Sequence, residues 1–113
     1  MGLRADKDQV KRRYIYFLLD DKNCVLYVGT AVNPKQRYKT HLKRSQTENA
    51  LLYRYVRQNN IKLKLQIVCA ITSTYANAEQ LEIQYIEEHQ NTVLNFYNNP
   101  NKERIKEIDK KLK

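Results

Sequence analysis

Residues Tyr14–Gly29 read YIYFLLDDKNCVLYVG, and the architecture turns on them. Residues 13–19 and 24–29 read as two strands. The polar break Asp20-Asp21-Lys22-Asn23 between them has the Asp and Asn content of a hairpin turn. Both strands carry tyrosines where Val, Ile or Phe would serve a core. A buried phenol needs a hydrogen-bond partner, so Tyr16 and Tyr27 are either structural or chemical. Gly29 removes a side chain as the chain leaves the second strand, which permits unusual dihedrals or close backbone approach.

Beyond the hairpin, Asn33-Pro34 opens a helix, with a capping Asn and Pro at the first helical position; it runs to about Arg44. A second helix from about Glu48 to Gln58 carries Leu51, Leu52, Tyr55 and Val56 at helical spacing, and Asn59-Asn60 ends it. In IKLKLQIVCAI, Ile61, Leu63, Leu65 and Ile67 alternate with Lys62, Lys64 and Gln66, giving a strand with one buried and one basic face. Ser73 or Thr74 caps a helix from about Ala76 to Gln90. An Asn-rich loop over 91–100 and a charged helix over 101–113 follow. The order β-β-α-α-β-α plus a C-terminal helix predicts an α+β fold, a small three-stranded antiparallel sheet flanked by helices. The divisions are a polar segment 1–12, a domain over 13–100 and a basic helical tail over 101–113.

A chain of 113 residues suits one modest core. No run approaches ~18 apolar residues, so no membrane span is expected. The start MGLRADKDQVKRR lacks the apolar segment of a secretory signal, and a cytoplasmic location is the expectation. Cys24 and Cys69 each lie in an apolar run and read as buried reduced thiols. The formal charge is +9, from 21 Lys and Arg against 12 Asp and Glu. Solubility alone is the plain explanation. Against it, Lys11, Arg12 and Arg13 cluster, as do Lys35, Arg37, Lys39, Lys43 and Arg44, and then Arg54 and Arg57; over residues 22–78 the sole acid is Glu48. Such a one-signed stretch points to phosphate contact.

Arg37 and His41, four residues apart, share a face of the first helix. In NAEQLEIQYIEEH, Ala78, Leu81, Tyr85 and Ile86 mark one apolar face. Glu82 falls in its middle, and His89 falls there too, as a satisfied semi-buried histidine. A carboxylate on a core-facing stripe is costly unless paired or metal-binding; a salt bridge to Arg37 is the simpler alternative.

YIY at 14–16, an interval of ten residues and YVG at 27–29 closely resemble the two half-motifs of the GIY-YIG nuclease family. Arg37 matches the family's arginine, His41 a frequent histidine, Glu82 the metal-binding glutamate and Asn95 the asparagine after the third helix. The resemblance covers residues 13–96. Tyr14 replaces the first glycine of the motif, which bears on backbone geometry and removes no reactive group.

The resemblance implies a metal-dependent DNA endonuclease, a phosphodiester hydrolase with a one-metal mechanism, of phage, mobile-element or repair type. The alternatives are a catalytically silent nucleic-acid-binding module of the same fold and an adaptor for an acidic protein. Glu82 would hold one Mg²⁺ (or Mn²⁺), Arg37 a phosphate oxygen, and Tyr16 and Tyr27 would flank the attacking water. A free phenol has pKa ~10, so about one in a thousand is ionised at neutral pH. Tyr16 serves as base only if a cation lowers its pKa; otherwise it orients, and His41 relays the proton. Asn95 would fix the site through hydrogen bonds, and Gly29 would let the backbone pass close to the scissile phosphate. Lys35, Lys39, Lys43, Arg44, Arg54 and Arg57 are the expected DNA contacts, which position without specifying. The expected partner is DNA, with no membrane. A homodimer and a partner protein that supplies specificity both stay open.

Overall fold

The strand β1 (Lys11–Leu19) lies between β2 (Val25–Ala31) and β3 (Lys64–Ser73), in an antiparallel sheet of order β2-β1-β3. A central strand covered on both faces has no wet side, which is why YIYFLL reads as a continuous apolar run. This computed structural model describes residues 8–113. The polar segment read over 1–12 lies outside the described residues as far as residue 7, and Lys11 and Arg12 already belong to β1.

Four helices complete the described residues: α1 (Pro34–Arg44), α2 (Leu51–Gln58), α3 (Tyr75–Glu88) and α4 (Lys102–Lys111). One face of the sheet presents Tyr16, Leu18 and Ala31 to Leu52, Tyr53 and Val56 of α2. The other presents Ile15, Phe17, Leu19 and Val28 to Ile86, Leu81 and Tyr85 of α3. The α+β fold expected from sequence is therefore present, with helices on both sides of the sheet.

Local chemistry sets the element ends. The Asn33 carboxamide accepts from Gln36 N at 3.2 Å, and Thr74 Oγ1 accepts from Asn77 N at 3.3 Å. In the hairpin turn the Asp20 carboxylate accepts from Lys22 N and Cys24 N, both at 2.9 Å, while Asn23 takes a left-handed φ of 66°. Cys24 closes this turn and is exposed, contrary to the buried thiol expected; Cys69 is half-buried, and both are free.

Two boundaries depart from expectation. α2 starts at Leu51 rather than Glu48, because the carbonyls of Ser45 and Glu48 are held in a linker by Arg57 Nη1, at 2.9 and 2.8 Å. β3 starts at Lys64 rather than Ile61. Asn60 adopts a left-handed φ of 53° and Ile61 N returns to Val56 O at 2.9 Å, a helix-terminating motif that occupies Ile61. The alternation in β3 then fails at Ile67, which is 44% exposed. A bulge opposite Ile15 and Tyr16 shifts the register from Cys69 to Ile67, so the parity inverts there and Val68 and Cys69 join the α3 side.

β2 is an edge strand, and its free edge is covered. Leu94 N donates to Leu26 O at 2.7 Å. One residue on, Asn95 Oδ1 accepts from Val28 N at 3.0 Å and Asn95 Nδ2 donates to Val28 O at 2.9 Å, so a carboxamide completes the ladder. α4 docks over this segment: Ile105 is buried, Arg104 Nη1 donates to Val93 O at 2.6 Å, and Arg54 of α2 pairs with Asp109.

Candidate active site

Cross-strand pairing places Gly29 directly opposite Tyr16. Gly29 has no positive φ; its role is space. A β-carbon there would overlap the Tyr16 ring, meeting Cε1 at 2.8 Å and the hydroxyl end closer still. The phenol of Tyr16 lies across the bare backbone of Gly29, so the close approach is to Tyr16. Gly29→Ala is expected to displace that ring and cost about 1–3 kcal/mol of stability, read as a lower urea midpoint; an unchanged midpoint would refute the packing argument.

Tyr16 is 1% exposed. Its hydroxyl and His41 Nε2 are 2.9 Å apart, and His41 Nδ1 and the Tyr53 hydroxyl are also 2.9 Å apart. The imidazole of α1 is thus clamped between a β1 phenol and an α2 phenol, all three buried. Burial pushes the Tyr16 phenol well above the ordinary range, with neighbouring Tyr27 reinforcing and Arg37 opposing. Burial lowers His41 to about 4, helped by Arg37 and Arg44, so the imidazole is neutral at pH 7.

This gives a pH dependence with a definite sign. An unfolded His41 titrates near 6.5 and the folded one near 4, so the unfolded state binds more protons between those values. Its contribution is complete above pH 6.5 and is lost as pH falls toward 4, by on the order of 1–3 kcal/mol. Urea titrations at pH 7.5 and 5 check it, and a His41→Gln variant removes the histidine part of the slope.

Tyr27 is half-buried. Its ring stands 6.3 Å from that of Tyr16 and edge-on to His41 at 5.1 Å. Burial and then the charge of Glu82 push its phenol up to about 12. Arg37, one turn into α1, is exposed. Glu82 arrives from the opposite face of the sheet: α3 carries it to the margin of β2, where Thr30 Oγ1 donates to its Oε2 at 2.5 Å. Burial raises its pKa, the Thr30 hydroxyl partly offsets this, and Glu79 adds to it. Among the described residues no cation pairs with Glu82, so the salt bridge to Arg37 is not formed.

The two faces meet in a cleft of about 290 Å³ whose walls include Tyr27, Arg37, His41, Glu82 and Asn95. Of the six catalytic residues expected from sequence, these five line it, and Tyr16 lies beneath with its hydroxyl on His41. His89 stacks edge-on against Phe17 at 5.0 Å, away from this group. Tyr14 sits between two alanines, Ala31 and Ala70, on its neighbouring strands, and accepts from Arg12 Nε at 3.1 Å. Lys35, Lys39 and Lys43 line a second groove along α1. Arg44 borders the cleft and pairs with Glu48 at 3.5 Å. Arg54 and Arg57 spend donors on protein acceptors: Arg54 on Asp109 and Asn49 O, Arg57 on the α1–α2 linker.

Among the described residues no cluster of three His, Cys, Asp or Glu side chains could hold a metal. What the cleft offers is one half-buried carboxylate with one oxygen fixed by Thr30 and no cationic partner among the described residues. That donor suits Mg²⁺, which keeps several waters and shares substrate oxygens. Thr30 and Tyr53 are functional neighbours that the sequence reading passed over. Thr30 is the hydroxyl that strand alternation turns to the Glu82 side, just after Gly29. Tyr53 lies one turn from Val56 and is buried with it and Leu52.

The model of the GIY-YIG catalytic domain matches residues 12–106. The chain belongs to the GIY-YIG family. No curated protein and no solved structure matches it. The GIY-YIG match spans nearly the whole chain and reaches into α4. The family is one of endonucleases, generally dependent on a divalent metal, and a nuclease domain implies a DNA substrate. No described helix is long and apolar enough to cross a membrane.

Proposed function

We propose that this chain is a divalent-metal-dependent DNA endonuclease that hydrolyses phosphodiester bonds at the cleft between β2, α1 and α3. The observation that carries the reading is the meeting of Glu82, without a cationic partner among the described residues, with exposed Arg37 and Tyr27 in one cleft. A structural carboxylate would have been given a cation, and Arg37 was available.

Glu82 would hold the metal, with Thr30 fixing the carboxylate. When bound, the ion supplies Lewis-acid stabilisation of the phosphoryl and leaving oxygens. Arg37 holds a non-bridging phosphate oxygen with its planar fork. Tyr27 orients the attacking water by its hydroxyl, since a phenol pushed up to about 12 stays protonated at pH 7. His41, neutral at pH 7 and hydrogen-bonded through both ring nitrogens, borders the cleft and holds the Tyr16 phenol in place; a proton reaches it only by exchange through those hydroxyls. Asn95 holds Val28, and so Tyr27 and Gly29 beside it. The lysines of α1 meet duplex phosphates. A cytoplasmic setting of phage, mobile-element or repair type agrees with this reading.

Supercoiled plasmid with Mg²⁺ or Mn²⁺ is the test. Nicked circles that form only with the metal and vanish with EDTA support the proposal. No cleavage by a folded protein across metals and DNA forms, with DNA binding retained, would instead make this a silent binding module.

A further inference from the structure

Directly after Asn95 the chain exposes two large rings. Phe96 is 60% and Tyr97 is 78% exposed, and they meet edge to face, with centroids 5.4 Å apart and planes at 82°. Both stand on the wall of the cleft that holds Arg37 and Glu82. The loop that carries them is pinned at each end. Asn95 is locked to Val28, buried Asn99 donates to Asn95 O at 3.1 Å, and Asn98 makes the reversal with a φ of 62°. The Lys102 ammonium lies 5.2 Å from the centre of the Phe96 ring.

A fixed aromatic pair facing water beside a cationic cleft fits a partner that is anionic and offers flat apolar faces. An unstacked nucleobase on a phosphate chain has both properties. Arg37 also borders a neighbouring pocket with Asn33, Gln36 and Thr40, and those three line a further one with Lys35, Lys39 and Lys43. That end offers ammonium groups and no ring, as suits the backbone of a duplex.

We infer that the chain recognises DNA where a duplex gives way to an unpaired nucleotide: the free base stacks on the face of one ring of the Phe96–Tyr97 pair, the other ring buttressing it edge-on, the adjoining phosphate lies at Arg37, and duplex phosphates lie along the α1 lysines. The inference rests on the nuclease reading of the same cleft and narrows its substrate class to paired–unpaired junctions.

The test needs no catalysis. Two DNAs are compared in EDTA at low salt: a short duplex with a single-stranded extension carrying 2-aminopurine at its first unpaired position, and the fully paired duplex. Wild type is expected to bind the junction about tenfold or more tighter and to quench the probe by stacking. The double variant Phe96→Ala/Tyr97→Ala, whose removed rings are exposed, should keep its circular dichroism and duplex affinity and lose the junction preference and the quenching. Equal affinity of wild type for both DNAs, or an unchanged preference in the variant, overturns the inference alone when plasmid cleavage persists. Failure of wild type to bind either DNA overturns it together with the nuclease reading. A wild-type dimer that the double variant turns into a monomer in sedimentation also overturns it, assigning the rings to a second copy.

Discussion

Glu82→Gln is expected to reduce metal-dependent plasmid cleavage by about 10²–10³-fold or more while leaving the fold intact. Gln keeps the volume, and its carbonyl can still accept from Thr30 Oγ1, so the only loss is the charge that would hold the cation. Burial raises the Glu82 pKa, which means that the ionised side chain is a burden on the folded state. The variant should therefore be at least as stable as wild type in urea. Its DNA affinity in EDTA should be equal or higher, because a negative charge beside phosphate is gone. Cleavage retained at the wild-type rate would remove Glu82 from the metal site.

His41→Ala should have the largest effect on stability. It leaves the Tyr16 and Tyr53 hydroxyls without their shared partner in the interior and opens a cavity between them. The orphaned Tyr16 hydroxyl costs about 1–3 kcal/mol, the Tyr53 hydroxyl less because Arg44 also hydrogen-bonds it, and the cavity adds about 1–3 kcal/mol more. The sum is a large part of the roughly 5–15 kcal/mol that holds a small domain together. Thermal unfolding should fall by about 10 °C or more. Tyr53→Phe removes a single bond of the three-residue chain and should cost less than half as much. A midpoint unchanged in His41→Ala would mean that the clamp contributes nothing net.

Much of the frame was legible because it rests on local chemistry. Asn33-Pro34 announces a helix start, Asp20 and Asn23 a tight reversal, and Glu82 stands out as a charge on an apolar stripe. What escaped reading depends on pairing between distant segments. The bulge at Val68 leaves no mark in IKLKLQIVCAI, since its period breaks only against the partner strand. Cys24 sits in an apolar run, yet turn hydrogen bonds with Asp20 decide its place. Tyr53 and Thr30 matter because of Tyr16–His41 and Glu82, more than ten and more than fifty residues away, and no helical or strand period encodes such bonds. Gly29 could be seen as a need for room, but only the register names Tyr16 as the occupant.

The Asn95–Val28 pair has a further consequence, which concerns time. A chain emerging from the ribosome through α3 already contains Tyr27, Arg37, His41 and Glu82, but the outer edge of β2 is still bare. Until Leu94 and Asn95 arrive, Val28 has neither of its carboxamide bonds, and the strand that carries Tyr27 and Gly29 lacks its outer support. If the cleft is a nuclease site, it stays incomplete while the chain is being made, and a product truncated before Asn95 would lack the bonds that brace Val28 beside Tyr27 and Gly29.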